Sequence, residues 1–271
     1  MSIIEAIVLG IVQGLSEYLP ISSSGHLILV PWLLGWDHFD DDSLKKAFDV
    51  ALHLGTLVGA TWYFRSDIRR LTRAAILDPK RKDGRLAWLL ALSAVPAAIT
   101  GAVVADIVER NTDQIWLIAV MLIVGAVGLA LADGVRGKRT IDEVGVRDAI
   151  IIGSAQALAL QPGVSRSGVT ITAGRFLGLS RDGAARFAFL MSLPITAGAL
   201  VFKYVDIGGW GGIPVDLRGA FVAGILASAA TGYLAIWGVL AWVRTRSFAP
   251  FVVYRLVLAF LVLNVLATPW R

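Results

Sequence analysis

The sequence predicts an all-α polytopic membrane protein built as an inverted-topology repeat, with six spanning helices plus two re-entrant helical hairpins in a single membrane domain, residues 1–271. Three observations predict it. Hydrophobic residues fill 56% of the 271 positions, mean hydropathy is +0.72 and only 17% are charged, outside the usual range of a soluble domain. Apolar runs recur at 47–64, 86–108, 114–132, 184–205, 219–243 and 251–268, each close to the roughly 20 residues a helix needs to cross a bilayer. The chain also aligns with itself: residues 5–36 match 148–179 without gaps, pairing Gly10 with Gly153, Gln13 with Gln156, Ser22 with Ser165, Ser24 with Ser167, Gly25 with Gly168 and Gly35 with Gly178.

Repeat 1 covers about 1–135 and repeat 2 about 145–271. Each opens on an interrupted apolar pair, 2–15 with 20–35 and 148–160 with 168–179, broken by Pro20 and by the stretch Gln161 to Gly168. A helix of about 14 residues reaches about 21 Å, short of a hydrocarbon core of about 30 Å, so these pairs read as re-entrant hairpins. Three spanning helices follow in each half, and residues 48–60 resemble 187–199. An odd number of crossings per half turns the second half upside down.

Charge orients the repeats. The loop 65–85 carries eight Lys or Arg and 133–147 carries four, whereas 106–113 and 206–218 carry one Arg each. The basic loops, with Arg244 and Arg246, are expected on the cytoplasmic side. The first hairpin then enters from outside, the second from the cytoplasm, and both termini lie outside. The net charge of +5 is read as this topology and not as a nucleic-acid surface. There is no Cys, which excludes disulfides and thiolate metal sites. The first ten residues carry Glu5 and no Lys or Arg, unlike the basic start of a cleaved signal peptide.

The two breaks hold the chemistry. Backbone that leaves the helix inside a membrane needs protein or water around its polar groups, and two breaks in matching positions point to a shared polar cavity. Gln13 and Glu17 are one helical turn apart and project from one face, able to grip a common cation or acid group. Arg166 lies between Ser165 and Ser167 beside Gly163 and Gly168, where small residues let backbone N–H groups turn toward an anion. A charge at bilayer depth costs at least about 2.5 kcal/mol and needs a partner. The plainest reading is that Glu17 and Arg166 simply pair. Two serine-rich breaks of opposite charge fit a phosphate site better, since hydroxyls, helix N-terminal N–H groups and a guanidinium fork are the donors phosphate prefers.

Other polar residues have blander readings. Asp49 and His53, one turn apart on the first spanning helix, either line the cavity or merely satisfy one another, and the second reading is preferred. His38, in the acidic stretch Asp37 to Asp42, reads as part of a solvated outer loop, and Pro79 to Arg85 as a headgroup anchor. Gly224, Gly232 and Gly238 read as close-packing positions, and Trp62, Tyr63, Trp210 and Trp270 as interfacial anchors.

Gln13 to His26 and Pro162 to Gly168 resemble the two signature motifs of the undecaprenyl-diphosphate phosphatase (bacitracin-resistance) family, over essentially the whole chain. The first motif falls here on Gln13, Glu17, Pro20, Ser22, Ser23, Gly25 and His26, the second on Pro162 to Gly168. The resemblance implies an integral membrane enzyme that removes the terminal phosphate of a C55 polyprenyl diphosphate and so recycles the lipid carrier for peptidoglycan synthesis. It further implies a divalent cation, Mg²⁺ or Ca²⁺, a site open to the outer face of the cell membrane, and a homodimer. Many members carry Glu where this chain has Gln13, which removes one anionic ligand from a two-carboxylate metal site.

On that basis Glu17 and Gln13 are the expected metal ligands, and Glu17, Ser23, His26 and Arg166 the expected catalytic residues. Ser22, Ser24, Gly25, Gly163, Ser165, Ser167 and Gly168 are expected around the phosphate. Ser23 is the first choice of nucleophile, with His26 taking its proton or protonating the leaving group. Attack by His26 itself is second and metal-activated water third. The rival class is a transporter, a flippase or anion carrier working by alternating access, because inverted repeats with broken helices are common there.

Overall fold

The computed structural model describes residues 1–36, 42–109, 114–206 and 212–268. Residues 37–41, including His38, and Trp210 and Trp270 lie outside them, as does much of the two loops expected to carry little charge. The described chain is helical; its one β feature is an isolated bridge between Arg139 and Leu179. In order the helices are α1 (Ile3–Tyr18), α2 (Ser23–Leu34), α3 (Asp42–Tyr63), α4 (Arg65–Leu77), α5 (Lys82–Glu109), α6 (Ile115–Asp133), α7 (Val146–Gln156), α8 (Arg166–Phe176), α9 (Arg181–Asp206), α10 (Arg218–Val243) and α11 (Ala249–Ala267).

Among the described residues, five helical stretches are long and apolar enough to cross a membrane: Lys82–Val103, Ile115–Asp133, Arg181–Val201, Arg218–Val243 and Ala249–Ala267. The sixth expected span lies in α3, which is long enough but too polar: it opens on charge with Lys45 and Lys46, and Asp49, His53 and Thr56 follow at one-turn spacing. The segment 65–85, expected as a loop, begins with a helix instead. Ile68 and Leu71 of α4 turn inward, Leu71 only 5% exposed, while its arginines stay outside, the pattern of an amphipathic surface helix. Side chains such as Trp62, Val103, Leu226 and Phe260 are exposed, an apolar exterior suited to lipid.

Capping and proline chemistry set the ends of the short helices. Ser2 and Glu5 form a reciprocal capping box at the start of α1. α1 stops at Tyr18 because Leu19 precedes Pro20 and is held extended, with ψ 139°. Four residues later Ser22 takes φ 79°, and its Oγ accepts the N–H of Gly25 to start α2. In the second break Ser165 takes φ 76° and accepts the N–H of Gly168 at 3.0 Å to start α8. α2 ends on Gly35 at φ 65° and α8 is followed by Gly178 at φ 85°, left-handed positions where glycine carries no Cβ penalty.

α10 is gripped on both sides. α1 packs on one face of it and α3 on another, while α7 packs on α5, and α11 on α6. The α1 contact has no room for side chains: a Cβ on Gly10 would fall 2.5 Å from the carbonyl oxygen of Gly224, and one on Gly14 2.6 Å from that of Ser228. Small residues permit this close backbone approach in a membrane. Gly224 fits the expected packing role, as Leu52 and Phe48 crowd it, but a Cβ on Gly238 would meet nothing within 4 Å.

Candidate functional site

The two breaks meet. Oγ of Ser22 accepts the N–H of Gly163 at 3.0 Å, and Oγ of Ser167 donates to the carbonyl of Leu19 at 3.0 Å, so each serine-rich turn is bonded to the other. A third connection comes from α11. Arg255 is fully buried and donates to the carbonyls of Pro20 in the first break and of Gly163 and Val164 in the second, as well as to Met121 and Leu122 of α6. Carbonyls freed from helices would otherwise lack donors here. Gly125 makes the space: a Cβ there would lie 2.6 Å from Cζ of Arg255.

Glu17, 6% exposed, is the hub. Its Oε1 accepts from Nη2 of Arg166, whose Nη1 donates to Oγ1 of Thr196 at 2.8 Å. Its Oε2 accepts from Oγ of Ser23 at 2.7 Å and from Nε2 of Gln13 at 3.1 Å, with Nε2 of His53 at 3.7 Å. Glu17 and Arg166 therefore pair, as the plainest expectation had it. A structural ion pair does not require a serine hydroxyl, an amide and an imidazole on the same carboxylate as well.

His26 is aimed elsewhere. Its Nδ1 lies 2.7 Å from the carbonyl of Ser22, which only accepts, so that nitrogen carries the proton. Its Nε2 lone pair then accepts from the hydroxyl of Tyr254 at 2.7 Å, and the two rings stack at 5.6 Å. Of the remaining expected residues, Ser165 and Ser167 bond each other at 3.2 Å, and Gly25 and Gly163 touch, Cα of Gly163 lying 3.5 Å from where a Cβ on Gly25 would be. Ser24 is half-buried one residue past Ser23. His53 bonds the backbone carbonyl of Asp49 through Nδ1 at 2.8 Å, leaving its other nitrogen toward Glu17.

Oxygen donors for a hard cation are few. The described residues hold no cluster of three or more His, Asp or Glu suited to an ion. Oε1 of Gln13 is buried with no hydrogen-bond partner and belongs to the side chain that bonds Glu17. One carboxylate and one orphan amide oxygen suit Mg²⁺, which is commonly held by one or two carboxylates together with waters and substrate phosphate.

Tyr254, Thr196 and Arg255 were not among the expected site residues. Arg255 carried one sign, a cation inside the apolar run 251–268. Tyr254 and Thr196 carried none, since nothing local ties them to motifs so distant in sequence.

Apolar helices wrapped around the buried Glu17 carboxylate and its part-buried guanidinium and serine partners define a multi-pass membrane protein with a polar centre. The chain belongs to the family described as bacitracin resistance protein BacA, whose model matches residues 6–261. It is 45% identical over 267 residues, 98% of each chain, to a Moorella thermoacetica protein named undecaprenyl-diphosphatase. A Pelobacter propionicus protein of the same name is 48% identical over 275 residues, covering 99% of this chain and 98% of its own. One from a Nocardioides species is 41% identical over 278 residues, 98% and 97% of the two chains.

Proposed function

We propose that this protein is an undecaprenyl-diphosphatase, an integral membrane hydrolase that converts the C55 polyprenyl diphosphate to its monophosphate and inorganic phosphate. The observation that carries the reading is the Glu17 carboxylate, which holds the Ser23 hydroxyl through one oxygen and the Arg166 guanidinium through the other. That is a nucleophile, its proton acceptor and an anion clamp in one place. A flippase is not favoured: a carrier needs affinity for phosphate but has no use for a hydroxyl already bonded to a base.

In the proposed reaction Oγ of Ser23 attacks the terminal phosphorus in line. The Oγ–P bond forms, the anhydride P–O bond breaks, and the lipid monophosphate leaves with the electron pair. The Ser23 proton passes to Oε2 of Glu17. This geometry supports Glu17 over His26 as the acceptor, because the hydroxyl already donates there. Arg166, steadied by Thr196, turns its fork to the equatorial oxygens, where charge spreads in the transition state. Water then attacks the phosphoserine: the Oγ–P bond breaks, Glu17 returns its proton to Oγ, and the proton lost by the water passes to an oxygen of the departing inorganic phosphate. The two serine turns lie at the N-termini of α2 and α8, helix ends whose dipoles favour phosphate. A divalent cation held by Glu17 and Oε1 of Gln13 would neutralise phosphoryl charge when bound.

The architecture we infer is the inverted repeat with two re-entrant hairpins, α1–α2 and α7–α8. Its support is the matching geometry at matching positions: Ser22 at φ 79° and Ser165 at φ 76°, Gly35 and Gly178 left-handed, and α1 on α10 against α7 on α5. The charge pattern supports an active site open to the outer face. A homodimer rests on the resemblance alone. The reading is tested by inorganic phosphate release from undecaprenyl diphosphate by purified protein, with and without chelator. Release that chelator suppresses is expected, and binding of the lipid without release would overturn the reading in favour of a carrier.

A further inference from the structure

The hydroxyl of Tyr254 reaches a buried histidine while the residue as a whole is 44% exposed on α11. A tyrosine on an apolar helix keeps its polar end satisfied by a hydrogen-bond partner. Here that partner is Nε2 of His26. The same ring forms part of the wall of a groove of about 940 Å³ along α10 and α11, whose lining includes Trp242, Pro250, Val253, Tyr254 and Val257, with Arg246 at one end stacked over Trp242. Pro250, Val253 and Val257 share one stripe of α11, and Val253 and Val257 are 58% and 61% exposed. The groove is open along its length, and the lining is almost entirely apolar.

We propose that this groove is the subsite for the first isoprene units of the polyprenyl chain, and that Tyr254 is the positioning residue that ties chain binding to His26. The proposal rests on the phosphatase reading given above. The occupant follows from continuity: beyond Arg246 and Ser247 the groove is apolar, as an isoprenoid requires, and the Tyr254 ring in its wall carries a hydroxyl bonded to His26, one turn from Ser22. A chain lying against the ring of Tyr254 keeps the phenol over His26. The phenol in turn keeps the imidazole in the Nδ1–H form with its basic nitrogen directed away from the Ser22 carbonyl. Held from both sides, the imidazole fixes the Ser22 carbonyl and with it the serine turn that carries Ser23 into α2.

The two parts separate kinetically. Tyr254→Phe keeps the ring and removes the hydroxyl, so kcat for undecaprenyl diphosphate is expected to fall roughly tenfold with KM within about twofold. Val257→Trp fills the groove from a lipid-facing position, so KM is expected to rise roughly tenfold with kcat held. A fifteen-carbon prenyl diphosphate bearing a benzophenone on its chain should photolabel the 249–257 segment of wild type and lose that label in Val257→Trp. Thermal melting of both variants at the wild-type temperature would exclude a folding defect. The proposal is overturned if Tyr254→Phe turns over at the wild-type rate, or if Val257→Trp changes neither KM nor labelling, which would mean that bulk lipid covers the groove. Wild-type protein that takes the label on α11 but releases no phosphate would remove the reaction and leave the chain subsite standing.

Discussion

The hydroxyl of Ser23 donates to Oε2 of Glu17 at 2.7 Å, and the nearest imidazole in sequence, His26, is bonded instead to Ser22 and Tyr254. The two groups behave as one unit if Glu17 is the acceptor for the Ser23 proton. Ser23→Ala and Glu17→Gln are each expected to cost at least about 100-fold in kcat, and the double variant no more than the worse single one. Steady-state phosphate release from all three checks this, and additive losses would separate their roles.

Arg166 serves two acceptors at once, the hydroxyl of Thr196 and the carboxylate of Glu17. A lysine has the charge but not the planar fork that spans both. Arg166→Lys is therefore expected to lose about 100-fold in kcat, while Thr196→Val, which removes only the steadying hydroxyl, loses about tenfold or less. Equal activity of Arg166→Lys and wild type would mean that charge alone suffices there.

Gln13 donates to the carboxylate that its neighbour Ser23 uses, and its own Oε1 has no partner. Gln13→Glu would replace the donor by a second carboxylate about one turn away, a like charge that only a cation makes tolerable. The variant is expected to be less stable than wild type in detergent with chelator, and to regain stability at a lower free Mg²⁺ or Ca²⁺ level because it binds the ion more tightly. Titration of thermal melting with each ion reads this directly, and an unchanged midpoint in the titration would remove Gln13 from the metal site.

Arg255 staples both breaks to α6 through backbone carbonyls alone. Arg255→Met keeps much of the volume and leaves those carbonyls without their donor, a loss expected to destabilise the fold by about 3 kcal/mol. Gly153→Leu should do similar damage for a different reason, since a Cβ at Gly153 already falls 3.0 Å from the carbonyl carbon of Ser93 on α5 and overpacking costs about 1–3 kcal/mol. Melting in detergent of both variants tests the assignment of these residues to structure.

The breaks were legible because proline, glycine and paired serines interrupt apolar runs at positions that match between the halves, and opposite charges at bilayer depth call for each other. Partnerships inside the chamber were less legible. The three-residue spacing of Ser23 and His26 suggested mutual contact, but the imidazole turns back one helical turn to the Ser22 carbonyl and outward to a tyrosine 228 positions away. α3 was expected to span on its apolar residues; its Asp49 and His53 make it too polar by composition, and His53 is the residue it brings to Glu17. α4 was hidden because its arginines outweigh the two inward apolar residues that make it a helix on the surface.

Trapping the reaction on Ser23 tests the central claim most directly. Purified protein mixed with undecaprenyl diphosphate labelled in its terminal phosphate, then quenched in acid within one turnover, should carry label on the Ser23 peptide, and Ser23→Ala should carry none and release phosphate at least about 100-fold more slowly. Undiminished release by Ser23→Ala, or label found on His26, would contradict it.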